Sequence, residues 1–132
     1  MEDVVEEFFK LAGIPYQTQM KYKDIDEQYE TNLCSIGKST KKFDFVFRNS
    51  KNNELIVMEV NCYGTQGFKP NETAKSYIEL NDKIKAMNGV KFVWITDGNG
   101  WNSSRLNLED AYDNIEHLYT IKDLEDGILN KL

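Results

Sequence analysis

The spacing of apolar residues divides the first half of the chain into helical, extended and irregular segments. In the opening run EDVVEEFFKLA, Val5, Phe9 and Ala12 fall on one helical face, and Gly13 follows as a stop signal. The run IPYQTQMKY predicts a short extended piece, whereas residues 23–40 are polar and charged and predict an irregular connection. The runs 42–48 and 54–63 predict two strands, joined as a hairpin through the turn-like segment NSKNN.

The second half of the chain alternates between helical and extended patterns. A break at Pro70 and an N-cap at Asn71 predict the start of a helix that ends near Gly89. The apolar run VKFVWIT, residues 90–96, predicts a central strand buried on both faces. A helix over 107–115, a short strand HLYTI and a terminal helix from Asp123 follow. This order predicts a mixed α/β layer in which the hairpin is antiparallel and the next helix crosses over to a parallel neighbour.

Composition predicts one domain with a real core. The chain has 132 residues, of which 40% are hydrophobic. It contains no run of about 20 apolar residues, and the start MEDVVEEFF is not a signal peptide, so a soluble, cytoplasmic protein is expected. Cys34 and Cys62 are predicted to be small buried thiols, and the single His117 excludes multi-histidine metal sites.

The net charge of −6 argues against a simple basic module that coats DNA. Locally the balance differs, because Lys38, Lys41 and Lys42 cluster immediately before the first strand of the hairpin. An acidic protein can therefore still present a basic surface at one place.

Two acids interrupt the strands of the hairpin, Asp44 and Glu59. Strand alternation predicts that the phenylalanines of the first strand share one face and that Asp44 lies on the other. Glu59 and Asn61 share a face of the second strand, and a turn near residues 51–52 brings Asp44 opposite Glu59 or one position away. Two converging carboxylates repel each other unless a cation lies between them, and Mg²⁺ accepts such a pair together with waters and the Val60 carbonyl. Alternatively, these are ordinary acids on an open sheet face, neutralised by nearby lysines.

The run KKFDFVF…MEVNCYGTQGFKPNETAKSY…VKFVWITDGNGW resembles the PD-(D/E)xK nuclease superfamily and, within it, type II restriction endonucleases that cleave GATC sites. The resemblance covers about residues 1–125 and implies a restriction-endonuclease-like core, a mixed central sheet flanked by helices. It implies that Asp44 and Glu59 are metal ligands, although Phe43 stands where the motif often has proline. Since such enzymes usually carry a further N-terminal region, residues 1–132 are interpreted as a single catalytic domain, either a fragment or a shortened relative.

The motif lysine is replaced by Asn61, which donates a hydrogen bond but supplies no positive charge. Lys69, just before the helix, is the first candidate for the substituting cation, and Lys75 on the helix is the second. The resemblance also implies that the first helix offers a glutamate to the metal, and Glu2 fits that position, with Glu6 one turn further on. The turn DGNGW, with Trp101, either approaches DNA or packs at the strand exit.

These expectations combine into Mg²⁺-dependent hydrolysis of double-stranded DNA, with Mn²⁺ as a possible substitute. Asp44, Glu59 and the Val60 carbonyl would hold the metal, Asn61 would position the attacking water, and Lys69 would stabilise the phosphate. Lys41, Lys42 and Lys75 would contact DNA, and the active form would be a homodimer that needs no membrane. Two alternatives stay open: a non-catalytic binding or assembly module on the same fold, and a repair or structure-specific nuclease.

Overall fold

The computed structural model describes residues 2–49, 51–62, 70–98 and 105–132. Within these ranges lie five α-helices, whose bounds are α1 Glu2–Ala12, α2 Tyr22–Tyr29, α3 Pro70–Lys85, α4 Arg105–Asn114 and α5 Ile121–Glu125. The strands are β1 Gln17–Lys21, β2 Lys42–Arg48, β3 Leu55–Cys62, β4 Val90–Asp97 and β5 Leu118–Tyr119. Short 3₁₀ turns lie at Leu33–Ser35 and Ile128–Asn130.

The strands form one five-stranded sheet in the order β1-β2-β3-β4-β5. β1, β2 and β3 pair antiparallel, whereas β3, β4 and β5 pair parallel. The predicted hairpin and the predicted crossover through α3 to a parallel neighbour are both confirmed. The mixed sheet flanked by helices is the fold class expected from the sequence.

Each face of the sheet packs against its own set of helices. On one face Val5 and Phe9 of α1 and Leu124 of α5 join the alternate side chains of the strands, such as Met58 and Val93. On the other face α2, α3 and α4 cover a second core, whose largest fully buried side chain is Trp94 of β4. The predicted burial of the central strand on both faces is therefore confirmed.

The prediction of an irregular connection over residues 23–40 is wrong in its first part, since α2 occupies Tyr22–Tyr29. Tyr22 and Ile25 of this helix are buried and Tyr29 packs against the same core. Their spacing of three and four residues is helical, but the charged residues between them hide that periodicity. Burial against the sheet stabilises a segment whose composition alone favours a loop.

Strand alternation breaks at Asp44, so the expectation that Phe43, Phe45 and Phe47 share a face is wrong. The Phe43 ring packs beside Tyr22, with centroids 5.1 Å apart, on the α2–α3 face. Phe45 and Phe47 instead pack against α1 on the opposite face, with the Phe45 and Phe9 centroids 5.2 Å apart. β2 pairs regularly with β3 from Arg48 to Phe45, the residue next to Asp44. Such local irregularities re-aim side chains, and here the side chain concerned is Asp44.

Smaller differences concern boundaries and the cysteines. α3 begins at Pro70, one residue before the predicted cap, in keeping with the preference of proline for a first helical position. α5 begins at Ile121 because Thr120 caps it, with Asp123 closing the capping box. Cys34 and Cys62 are exposed free thiols, so the prediction that they are buried is wrong. Among the described residues, no helix is long and apolar enough to cross a membrane.

Candidate active site

Asp44 and Glu59 meet where the β2–β3 hairpin opens. Phe45 pairs with Met58 at the end of the β2–β3 register, and Asp44 and Glu59 are the next residues of the two strands. The Asp44 side chain stays bonded to β3, because its Oδ2 accepts a hydrogen bond from the Val60 backbone N–H at 2.8 Å. The side chain thus caps a backbone donor of β3, which fixes the carboxylate beside Glu59.

The Glu59 carboxyl lies in a partly buried and strongly negative environment. Burial is the first cause that raises its pKa to about 9, followed by the negative charge of Asp44 and a hydrogen bond between the two carboxyls. The charge of Glu2 raises this pKa further, whereas a hydrogen bond from Tyr77 lowers it. Burial and the charge of Glu59 in turn raise the pKa of Tyr22 to about 12. Without a cation, Glu59 therefore holds a proton at neutral pH.

Glu2 brings a third carboxyl to the same place. The Gln19 amide Nε2 donates to Glu2 Oε1 at 2.8 Å and to Asp44 Oδ1 at 3.1 Å. The pKa of Glu2 is raised, chiefly by its hydrogen bond with Asp44 and then by burial and the Asp44 charge. Glu6, the other glutamate considered on this helix, instead accepts a hydrogen bond from the Tyr16 hydroxyl at 3.1 Å. The geometry thus favours Glu2 as the acid that α1 offers.

The donor set fits a hard divalent cation. Every side-chain donor in it is a carboxyl oxygen, and burial together with the neighbouring acids raises the pKa of Glu59, while the hydrogen bond with Asp44, burial and the Asp44 charge raise that of Glu2. Across the described ranges, no group of three or more His, Cys, Asp and Glu residues has the arrangement needed to hold a metal. Asp44 and Glu59 are the two carboxyls that could hold a divalent cation here, with waters completing its coordination.

Asn61 is anchored to the core through its side-chain oxygen. Its Oδ1 accepts a hydrogen bond from the indole Nε1 of Trp94 at 2.8 Å, and the Trp94 ring is fully buried. The Tyr77 ring packs edge-on against Trp94, with centroids 4.8 Å apart. Because the oxygen is engaged, the amide Nδ2 is the part of Asn61 that is available to a substrate or water. It can donate a hydrogen bond, as expected from the sequence.

The predicted cations do not all converge on Glu59. Lys41 and Lys42 line a cleft of about 240 Å³ that also contains Glu59. Lys75 lines a different groove, between α3 and α4, whereas Lys83 of α3 faces the Glu59 cleft. Lys69 and Trp101, for which roles were considered, lie outside the described residues.

Several site residues were not found from the sequence. The Tyr77 hydroxyl reaches Glu59 from α3, at a position whose aromatic side chain is also compatible with plain core packing. Lys83 shares the helical spacing of Ser76 and Leu80, which is a signal that could have identified it. Gln19 had no local signal, because its contacts join segments far apart in sequence.

Comparison with known proteins places these residues in a family. The model of the DpnII restriction endonuclease family matches residues 1–131. The chain is 37% identical over 139 residues to the type II restriction enzyme DpnII of Streptococcus pneumoniae, covering 100% of this chain and 48% of that protein. It is 33% identical over 132 residues to the type II restriction enzyme MboI of Moraxella bovis, covering 100% of this chain and 44% of the relative.

A third relative, the type II restriction enzyme MjaIII of Methanocaldococcus jannaschii, is 31% identical over 138 residues, covering 100% of this chain and 47% of its own. The chain thus spans less than half the length of these relatives. No solved structure matches it. With a family model that matches nearly every residue, and paired acids on neighbouring strands of the expected fold, the chain belongs to the DpnII restriction endonuclease family.

Proposed function

We propose that this chain carries the hydrolytic centre of a type II restriction endonuclease, which cleaves double-stranded DNA at GATC sites with Mg²⁺. The observation that carries the proposal is that the Val60 backbone N–H holds the Asp44 carboxylate at 2.8 Å, immediately beside Glu59 on the adjacent strand, where burial and the charge of Asp44 raise the pKa of Glu59. Relatives along the whole chain are named type II restriction enzymes, which supports the reaction class. The GATC site rests on the resemblance of the sequence to that group.

In this mechanism Asp44 and Glu59 would hold the metal, with the Val60 carbonyl as a further oxygen. The bound ion would lower the pKa of a water and neutralise charge that develops on the phosphate. Val60 N–H and Gln19 hold Asp44 in a fixed orientation, which supports a preorganised site. Glu59 must release its proton before it can act as a ligand, so metal binding is coupled to proton release.

Asn61 and the lysines have separate roles in the proposal. The Asn61 amide, oriented by Trp94, would donate a hydrogen bond to the attacking water or to a phosphate oxygen. Lys69 is kept as the first candidate for the charge that the motif lysine would supply. A unit charge about 4 Å from a phosphate oxygen is worth roughly 4 kcal/mol at an effective dielectric of 20. A site without the motif lysine therefore needs another cation to supply that stabilisation.

DNA is the proposed partner despite the acidic net charge. Lys41 and Lys42 are exposed beside the Glu59 cleft, which supports a local contact with phosphates. Lys75 would contact DNA from the neighbouring groove. A cytoplasmic homodimer with one site per strand, and a further N-terminal region for recognition, complete the proposal.

A non-catalytic module on the same fold is the second candidate. It is favoured by Asn61, an uncharged side chain whose oxygen is committed to the buried Trp94. The two candidates share the fold and differ in whether the carboxyls act on a phosphodiester.

A panel of labelled duplexes separates these functions. The duplexes carry GATC, a scrambled site, GATC with methylated adenine, or a branched junction, and each is incubated with the protein and Mg²⁺. We expect cleavage confined to duplexes with GATC and dependent on the metal. Preferential cutting of the branched DNA would instead indicate a structure-specific nuclease. Failure to cut any of them while metal binds would indicate a non-catalytic module.

A further inference from the structure

A single amide group connects two acids that are distant in the chain. Gln19 Nε2 donates to Glu2 Oε1 at 2.8 Å and to Asp44 Oδ1 at 3.1 Å. Both partners are carboxyl oxygens that accept hydrogen bonds, so the NH₂ end of the amide must face them. The contact therefore links α1, β1 and β2 at one point.

The backbone of Gln19 adopts an unusual conformation at this contact. Gln19 has φ +49°, a left-handed conformation that non-glycine residues seldom adopt outside over-determined sites. On the same strand, Gln17 hydrogen-bonds to Gln28 and Tyr29 of α2. Regular alternation would turn Gln19 toward α2 as well, since residues two apart share a face. The left-handed residue instead allows its side chain to reach Glu2, on the helix that packs against the opposite face.

The same position marks the irregularity in the neighbouring strand. The register of Thr18 with Phe45 and of Met20 with Phe43 brings Gln19 opposite Asp44. Met20 and Phe43 pack on the α2–α3 face, whereas Phe45 packs on the α1 face. Both strands thus change faces at the Gln19–Asp44 pair, which lies between the two cores.

We propose that Gln19 is a positioning residue that, by bonding Glu2 and Asp44 together, holds Asp44 in the orientation in which Asp44 binds a divalent cation. The inference rests on the proposed function, because it concerns the same metal site. With Val60 N–H on Oδ2 and Gln19 on Oδ1, both oxygens of Asp44 have a fixed donor. A neutral amide orients these acids without neutralising them, whereas a lysine at this position would compete with the metal.

Calorimetric titration with Mn²⁺ tests the inference, with Gln17→Ala as the matched control on the same strand. Gln19→Ala is expected to weaken Mn²⁺ binding about tenfold or more, the usual effect of losing a group that orients a ligand. Gln17→Ala should leave the affinity within about twofold, because Gln17 contacts α2 and not the acids. Equal affinities for wild type and Gln19→Ala would overturn the positioning role while leaving the metal site intact.

A second variant distinguishes an effect of the Gln19 side-chain amide from an effect of the Gln19 backbone conformation. Gln19→Gly retains easy access to positive φ but lacks the side chain, so it should lose affinity as Gln19→Ala does. Wild-type affinity in Gln19→Gly, with weak binding in Gln19→Ala, would assign the effect to the backbone and overturn the role of the amide.

A double-mutant cycle tests the route through Glu2. In a Glu2→Gln background the loss caused by Gln19→Ala should be clearly smaller than in the wild-type background. Independent losses would overturn the coupling. If the wild type binds no Mn²⁺, the metal site of the proposed function fails together with this inference. That result is distinguishable from the failure of Gln19 alone.

Discussion

At the scale of the residue, the site is a compromise between burial and charge. Glu59 is an acid in a partly apolar position beside Asp44, and its raised pKa records the cost of ionising it there. Two tyrosines adjoin it, since Tyr77 hydrogen-bonds to Glu59 and the charge of Glu59 raises the pKa of Tyr22. A bound cation would remove much of this cost, which makes the protonation of Glu59 a sensitive report on the site.

Stability without metal should fall as the pH rises from about 5 to 9. The pKa of Glu59 in the folded protein is about 9, against 4.5 as its ordinary value, so in that interval the folded state holds the extra proton. The slope contributed by one such group is at most about 1.4 kcal/mol per pH unit, and it ends above the folded pKa. Urea unfolding of the wild type with EDTA at pH 5, 7 and 9 measures it.

Glu59→Gln should remove most of that slope, because the amide cannot ionise. The variant should also be the more stable protein at pH 9. Glu79→Gln, an exposed position on the same cleft, is the matched control and should keep the wild-type slope. An unchanged slope in Glu59→Gln would mean that Glu59 does not carry the raised pKa.

At the scale of the element, α1 positions an acid and covers a core at once. The Phe9 ring is fully buried and its centroid lies 4.9 Å from that of Tyr16 and 4.9 Å from that of Phe47. Glu2 stands two turns earlier on the same helix. Packing at Phe9 is therefore expected to control where Glu2 lies.

Phe9→Ala should lower the free energy of unfolding by about 3–5 kcal/mol through lost burial and a cavity. Leu11→Ala, two residues further on and 81% exposed, should change it by less than about 0.5 kcal/mol. Denaturant unfolding of both variants checks this comparison. Similar losses in the two would contradict the packing assigned to α1.

The elements that sequence predicted well have strong local patterns. β2 was expected over 42–48 and spans Lys42–Arg48, and the VKFVWIT strand spans Val90–Asp97. α2 was missed because its buried residues are separated by charged ones, so that its stability comes from the sheet it covers. The requirement for glycine at position 37 likewise comes from a contact made in the folded protein, because a Cβ there would come within 2.9 Å of the Tyr22 ring.

The sequence predicted that Asp44 and Glu59 lie close together on adjacent strands, and it did not predict what holds them there. Their proximity could be predicted from the hairpin even though alternation breaks at Asp44, whereas their role as metal ligands stays a prediction. The side chain of Asp44 is held by Gln19, and that contact joins residues 25 positions apart. No pattern along one strand reports such a contact, so Gln19 and Tyr77 emerged only from the folded structure.

At the scale of the whole molecule, an acidic protein is proposed to bind an acidic polymer. The net charge is −6, so long-range attraction to DNA is unfavourable and the affinity must come from local contacts. Lys41 and Lys42, beside the Glu59 cleft, are the described residues best placed for it.

Replacing Lys41 and Lys42 together with glutamine should weaken DNA binding at low salt. Each lost phosphate contact should reduce the slope of log affinity against log salt by about 0.9. Fluorescence anisotropy over a salt series, with Ca²⁺ in place of Mg²⁺, measures the slope. Lys10→Gln, which removes an exposed charge on α1, is the control and should keep the wild-type slope. An unaltered slope in the double variant would show that residues other than Lys41 and Lys42 contact the DNA.

The central claim is that Asp44 and Glu59 act together on a phosphodiester through a bound metal. Its most direct test is single-turnover cleavage of a GATC duplex with Mg²⁺ by the wild type, Asp44→Asn and Glu59→Gln, with exposed Asp24→Asn as the control. The account predicts that the wild type and Asp24→Asn cut at similar rates. The two site variants should cut at least about a thousandfold more slowly, roughly 4 kcal/mol of barrier, while remaining folded. Cutting by either site variant at the wild-type rate would contradict the assignment.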